Sequence, residues 1–158
     1  MSKYLNKRNA GMIICEKYEE LDGKIVNIYG VNNKLCLDKG MHAKFSFICN
    51  LDFIEFEIPK EESELSFRFY IRTLGGGDSY IMPFIATQMR LRANDEGVIT
   101  HHLPILMQIE NLDFPRRGSF AIEVYKYFGR IDPRVEEENK DFYRKPENFI
   151  NAIMFDVV

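Results

Sequence analysis

Hydrophobic and polar positions alternate along most of this chain, and a period of two is typical of β-strands rather than helices. In residues 65–72, Leu, Phe and Ile take every second position, and Arg68, Tyr70 and Arg72 are among the residues between them. The same alternation recurs at 45–51, 54–58, 103–109 and 120–124. Aromatic and β-branched residues dominate these runs, as strands prefer. The pattern predicts an all-β protein.

Turn-forming sequences separate the runs. Asp22-Gly23 lies between the runs 12–19 and 24–31 and predicts a tight hairpin. Further turn signals lie at 75–78, 94–97 and 115–118. The first of these is a glycine-rich loop, the second a short hairpin turn, and the third a type I turn with proline at its second position.

These turns also predict which strands are neighbours. If each turn joins adjacent strands, Ile71 lies opposite Met82, Phe69 opposite Phe84, and Ile109 opposite Ile122. All these residues are apolar, so one face of the resulting sheet is apolar, and a slip of one residue would break the agreement. The prediction is a four-strand antiparallel meander of residues 64–74, 80–92, 99–112 and 118–128.

The apolar face of that meander needs a cover. The runs at 12–19, 24–31, 43–51 and 53–58 can form a second sheet, whereas residues 59–63 support one helical turn at most. The expected fold is an antiparallel β-sandwich of about eight or nine strands, immunoglobulin-like or jelly-roll-like. Residues 1–11 are expected to be a flexible segment, and residues 12–158 a single domain.

Residues 130–147 differ from the rest because six acidic and five basic side chains fall within them. They predict a long solvated loop, with a short helix over 135–142. A terminal strand is expected at 148–158, with Phe149, Ile153 and Phe155 on one face. Because both its faces are apolar, it is expected to pack between sheets or across a homo-oligomer interface. The alternative, given equal weight, is that it completes the sandwich of its own chain.

Composition excludes several classes of protein. The 158 residues are 46% hydrophobic, which argues against disorder, and 21 Lys and Arg against 24 Asp and Glu disfavour nucleic acid as a partner. The chain has neither the apolar core of a signal peptide nor a membrane span, so the expected location is the cytoplasm, of a host cell if the protein is viral. Cys15, Cys36 and Cys49 are odd in number and lie in apolar runs, which predicts three reduced, mostly buried thiols.

The sequence contains few candidate metal-binding or catalytic residues. His101 and His102 are weak metal-ligand candidates, because neighbouring residues of a strand point to opposite faces and His101 is expected opposite Arg90. No serine or cysteine lies in a recognisable nucleophile motif such as G-x-S-x-G. The sequence therefore predicts no catalytic residue and no cofactor. Arg68, Tyr70 and Arg72 share one face and could bind single-stranded nucleic acid or a protein. Pairing of the arginines with the nearby acids is the favoured interpretation; those acids are Glu61, Glu62 and Glu64.

Three segments carry a resemblance to a known group of proteins: Cys15-Glu16, residues 22–31 and residues 112–124. They resemble the opening and closing hairpins of small bacterial and phage proteins that form a domain of unknown function with an immunoglobulin-like sandwich. The resemblance covers roughly residues 12–128 and implies a fold but no catalytic residue. The expected function is that of a non-catalytic module for protein interaction or assembly. The alternative is a small-molecule-binding protein or a metal-dependent, cupin-like enzyme that uses His101 or His102.

Overall fold

The computed structural model of this protein describes residues 7–55, 64–75, 80–90 and 99–158, and these residues form ten strands. The strands are β1 (Lys7–Cys15), β2 (Lys17–Leu21), β3 (Lys24–Tyr29), β4 (Lys34–Leu35), β5 (His42–Glu55), β6 (Glu64–Leu74), β7 (Ile81–Arg90), β8 (Ile99–Asp113), β9 (Gly118–Phe128) and β10 (Phe149–Val157). A short helix, α1 (Pro133–Glu138), and a 3₁₀ turn (Pro146–Asn148) precede β10. The all-β prediction is confirmed.

The strands form two larger sheets and a separate hairpin. One sheet has the order β1-β5-β8, the other has the order β4-β10-β9-β6-β7, and β2 pairs with β3 alone. Neighbouring strands are antiparallel except β4 and β10, which are parallel.

The two larger sheets pack face to face around an aromatic core, as in a sandwich. The ring of Phe47 on β5 lies 5.8 Å from that of Phe69 on β6 and 5.7 Å from that of Phe84 on β7. At another place in this core, Phe114 packs 5.1 Å from Phe120 and 6.0 Å from Phe155. These edge-to-face distances are favourable for aromatic pairs.

The predicted meander is wrong beyond its first hairpin. β6 and β7 pair as expected, with Ile71 opposite Met82, but an irregularity next to Phe69 places Ile85 rather than Phe84 opposite that residue. β8 pairs with β5 in the other sheet, so Ile109 lies opposite Phe45 and not Ile122. β9 pairs instead with β6 and β10.

The segment after β8 explains this error. The apolar Phe114, directly before Pro115, is buried between the rings of Phe120 and Phe155, so the chain crosses here from one sheet to the other. A proline turn with glycine after it looks the same in sequence whether it closes a hairpin or changes sheets. The turn expected at 94–97 and the helical turn at 59–63 lie outside the described residues, as do residues 76–79 of the glycine-rich loop.

The hairpin at Asp22-Gly23 is confirmed. Both residues have positive φ, 51° and 75°, as a two-residue turn of the I′ type requires. The run 12–19 is nevertheless two strands, because the chain leaves β1 at Glu16 and β2 begins with Lys17. In contrast, residues 43–51 and the start of the run 53–58 belong to one continuous strand, β5.

The charged segment contains a helix, but one that begins and ends earlier than expected. α1 begins after Asp132, whose carboxylate accepts the N–H of Arg134 at 2.9 Å. β10 follows and lies between β9 and β4 of its own chain. This is the alternative in which the terminal strand completes the sandwich of its own chain. Its register shifts between Phe149 and Asn151, so Phe149 packs outside the core against the ring of Tyr125 at 5.6 Å.

Candidate functional site

The outer face of β6 carries Arg68, Tyr70 and Arg72, whose arginines were expected to pair with nearby acids, with a binding surface as the less favoured alternative. This face is covered by residues 130–148, which we call the strap. Arg68 donates to Glu136 of α1 from Nε at 3.0 Å and from Nη2 at 2.6 Å. The Tyr70 hydroxyl donates to the same carboxylate at 2.6 Å. Glu136 thus accepts three hydrogen bonds while only 7% exposed.

A second buried carboxylate lies beside the first. Glu123 of β9 is 4% exposed, accepts hydrogen bonds from Arg72 and from the Tyr125 hydroxyl, and lies 3.8 Å from Arg144 of the strap. Burial, followed by the hydrogen bond and charge of Glu123, raises the pKa of Tyr125 to about 12. Burial and the Glu136 carboxylate likewise raise the pKa of Tyr70. Both hydroxyls therefore stay protonated donors over the physiological range.

The predicted pairing of Arg68 and Arg72 with Glu64 is wrong. Glu61 and Glu62 lie outside the described residues, and Glu64 accepts hydrogen bonds from Arg130 at 2.8 and 2.9 Å. That guanidinium also lowers the pKa of Glu64. Tyr70 is only 1% exposed, so its ring offers no free face on which a nucleic-acid base could stack.

A cavity of about 300 Å³ opens beside the Arg68–Glu136 pair. Its wall is formed by apolar side chains of β7 and α1 together with the ring of Tyr70, and charged residues complete the lining. The lining residues are Arg68, Tyr70, Ile81, Pro83, Pro133, Glu136, Glu137 and Lys140. The sequence pattern does not predict this cavity, because its walls combine the neighbouring strands β6 and β7 with the strap, which follows much later in the chain.

His42 and His102 lie at separate places, each against carboxylate side chains. His101 lies opposite Phe53 of β5 rather than Arg90, and the adjacent His102 pairs with Asp52 at 2.5 Å with its side chain 84% exposed. His42 contacts two carboxylates, those of Asp38 at 3.2 Å and Asp113 at 2.6 Å. Within the described ranges, no group of three or more His, Cys, Asp or Glu side chains is arranged to hold a metal ion.

The three cysteines are free thiols, as expected, but they are not all buried. Cys15 and Cys49 are in the core, and burial raises the pKa of both thiols, that of Cys49 to about 12. Cys36 is exposed, which corrects the prediction for that residue. It follows Leu35, the buried residue of the two-residue strand β4, so its own side chain faces outward.

The β2–β3 hairpin, which we call the arm, is the most exposed strand pair described. Four of the five residues of β2 and five of the six of β3 are exposed. The register puts Tyr18 opposite Ile28 and Glu20 opposite Ile25, so the three apolar residues share one face with Glu20. The arm joins the sandwich at Glu16, whose N–H bonds the carbonyl of Tyr29 at 3.0 Å.

The opposite face of the arm is polar. Lys17 Nζ lies 4.7 Å from the centre of the Tyr29 ring, and the Asn27 amide donates to Glu19 at 3.0 Å. Apolar residues are also exposed toward the tip, with Leu21 at 64% and Val26 at 52%. The arm is therefore amphipathic, and on its apolar face Tyr18 and Ile25 are half-buried while Ile28 is exposed.

Charge is unevenly distributed along the arm. Glu19, Glu20 and Asp22 lie near the tip, where Lys24 is the only basic residue within 19–24. Three lysines surround Glu16 at the base, because Lys34 and Lys44 line one crevice with Glu16 and Lys17 and Lys44 line a second. The tip is consequently acidic and the base is basic.

The terminal strand was the other predicted interaction surface. Phe155 is 2% exposed in the core and Ile153 packs against the same cluster, whereas Phe149 is 41% exposed outside it. Met154 is the most exposed large apolar residue of β10, at 68%. The expected face of three residues is therefore divided between the core and the outer surface.

Comparisons with known proteins do not identify a family. No family model and no curated protein matches the chain. A solved structure, a β-glucosidase from Listeria innocua in complex with glucose, aligns over 96% of this chain and 16% of its own length, with 7% identity and a TM-score of 0.42. A likeness this distant carries no functional argument. None of the helices in the described ranges has the length and apolar character needed to span a bilayer.

Proposed function

We propose that this protein is a non-catalytic β-sandwich module that assembles with further copies of itself through the arm. The observation that carries the proposal is the exposed, amphipathic two-stranded hairpin, with Tyr18, Ile25 and Ile28 on one face. An isolated pair of strands is marginally stable in water, and burial of its apolar face against a partner would stabilise it. An exposed apolar patch of this kind is typical of a protein interface.

The charges of the arm favour a second copy as the partner. If two arms pack antiparallel about a two-fold axis, the acidic tip of one meets the basic base of the other, and the reverse contact forms by symmetry. Glu20, which shares the apolar face, would then lie near the lysines at the base of the partner's arm. Complementary charge of this kind fixes orientation and speeds association.

Light scattering on the purified protein tests the proposal directly. The full chain should be a dimer or larger assembly at tens of micromolar, and Ile28→Glu should raise the dissociation constant by at least about 100-fold, because a charge enters the apolar face. Tyr29→Glu, on the polar face of the same strand and opposite Lys17, is the matched control and should leave the mass unchanged. A monomeric wild-type protein at these concentrations would reject the proposal.

Exchange of charges tests the antiparallel arrangement itself. Lys34→Glu and Glu20→Lys should each weaken self-association, since each puts like charges at both tip-to-base contacts. An equimolar mixture of the two variants should associate again, and so should the double variant. If the mixture stays as weakly associated as its components, the arms do not meet in this orientation.

The cytoplasm is the location we propose, because all three cysteines are free and disulfides are rare there. The resemblance to the bacterial and phage domain of unknown function concerns the fold alone and remains part of the proposal. The cupin-like alternative gains no support from His102, which is exposed and paired with Asp52.

A further inference from the structure

We propose that the cavity between the strap and β6–β7 is a binding site for a small carboxylic acid with an apolar body. This site lies on other elements than the arm and is independent of self-assembly. Its volume of about 300 Å³ is at the lower end of the usual range for ligand pockets. A ligand the size of a substituted benzoic acid suits such a space.

The walls of the cavity suit an apolar body. Ile81 and Pro83 from β7 face the cavity together with Pro133 from α1 and the ring of Tyr70. Neither proline has a backbone N–H, so these walls offer few donors that a ligand would have to satisfy. Ligand pockets are commonly lined in this way, with a small number of polar groups that fix orientation.

The polar groups favour an anion over a cation. Glu136 accepts three hydrogen bonds from Arg68 and Tyr70, so its carboxylate is already engaged. Arg68 makes its bonds to Glu136 from Nε and Nη2, which leaves the N–H groups of Nη1 for another acceptor. Lys140 adds a second cation to the lining, and the exposed Glu137 adds a second carboxylate. The preference for an anion therefore rests on the donor groups that Arg68 leaves free and not on an excess of positive charge.

The aromatic ring in the wall is also unsuited to a cationic ligand. The guanidinium carbons of Arg68 and Arg144 lie 5.6 and 5.7 Å from the centre of the Tyr70 ring, so two cations of the protein already use it. A carboxylate, in contrast, matches a guanidinium and an ammonium group in charge and geometry. We therefore assign the polar end of the ligand to Arg68 and Lys140.

Titration of the full-length protein with benzoate, followed by two-dimensional NMR of the backbone amides, tests the site. Benzoate should bind saturably below about 10 mM and shift amides of β6, β7 and α1. Benzamide and benzylammonium, which have the same ring but are neutral and cationic, should bind at least about 10-fold more weakly. Equal shifts from all three compounds, or no saturable shift from benzoate, would overturn the proposal.

Substitutions of residues in the cavity lining test whether benzoate binds there. Lys140→Gln should weaken benzoate binding by about 10-fold, the effect of one lost ion pair of 1.4 kcal/mol. Lys145→Gln is the matched control, because Lys145 is on the same strap but packs over the ring of Phe142 and does not line the cavity. Ile81→Phe, which fills part of the cavity, should abolish binding, and its amide spectrum shows whether it is folded. Equal affinities for the Lys140→Gln and Lys145→Gln variants would contradict the assignment.

Discussion

The outer face of β6 and the arm are both built from alternating strands, yet they end in opposite environments. On β6 both faces are largely buried, and Tyr70 is 1% exposed. On the arm nearly every residue is exposed, and Tyr29 retains 39% of its accessible surface. The β6 face has the strap above it, whereas the arm has little cover in the described part of the chain.

The comparison shows how the polar outer face of a strand can be buried. Burying Glu136 and Arg68 removes two charges from water, which is costly, and their bidentate pairing together with the Tyr70 hydroxyl offsets that cost. The strap supplies this carboxylate from 68 residues further along the chain. The arm instead presents an apolar face, so the natural partner of that face is another apolar surface.

Truncation of one apolar side chain on β6 and of one in the arm should give the largest difference in the free energy of unfolding. Phe69→Ala should reduce the free energy of unfolding by about 3–5 kcal/mol, because the ring is fully buried against Phe47. Ile28→Ala in the arm, measured at a concentration where the protein is monomeric, should cost less than about 0.5 kcal/mol. Urea unfolding followed by circular dichroism measures both. Similar costs at the two sites would mean that the arm is as well packed as the core.

Removal of one buried charge should have the next largest effect. Glu136→Ala leaves the Arg68 guanidinium, whose side chain is 13% exposed, without its partner and should cost about 3 kcal/mol. Replacing both residues with apolar ones, Arg68→Met with Glu136→Leu, should recover most of that loss. If the double variant is no more stable than Glu136→Ala, the cost arises from lost packing of the strap rather than from an unpaired charge.

High pH should destabilise the strap-covered face through its tyrosines. The pKa of Tyr125 is about 12 in the folded protein and near 10.0 when unfolded, so only the unfolded state loses this proton between those values. Stability is therefore unaffected by this group below pH 10 and falls as the pH rises from 10 toward 12. Urea unfolding at pH 9 and 11 should show the decrease, and Tyr125→Phe should make it smaller. An unchanged decrease in that variant would place the effect elsewhere.

Thiol labelling should show the smallest and most selective effect. Native protein should react rapidly at one cysteine, Cys36, and at Cys15 and Cys49 only after unfolding, since those two are buried with raised pKa values. A colorimetric thiol reagent should therefore count one site in buffer and three in denaturant. Cys36→Ser should remove the rapid phase, and a remaining rapid phase would mean that a core cysteine is accessible.

Local sequence was sufficient for features that depend on neighbouring residues. The alternation predicted strands, Asp22-Gly23 predicted its hairpin, and the position of Ile71 opposite Met82 followed from the loop between β6 and β7. The register then failed near Phe69, where an extra residue on β7 shifts the pairing. Such an irregularity leaves no distinct mark in the pattern of apolar and polar residues.

Features that depend on distant residues were not predictable in the same way. Arg68 and Tyr70 were identified as a set, but their partner Glu136 was not, because it is one of many acids in a charged segment. The sheet to which β8 belongs was also missed. A hairpin and a sheet crossing have similar turn sequences, and the burial of Phe114 that separates them is a tertiary contact.

Hydrogen exchange at two protein concentrations tests the central claim most directly. If the arm is covered only in the assembly, its amides in 17–29 should exchange rapidly in dilute protein and become protected as the concentration rises, whereas β6 and β9 should stay protected throughout. The account predicts a concentration-dependent change confined to the arm and its base. Arm amides that exchange equally fast at both concentrations, or new protection that develops elsewhere, would contradict it.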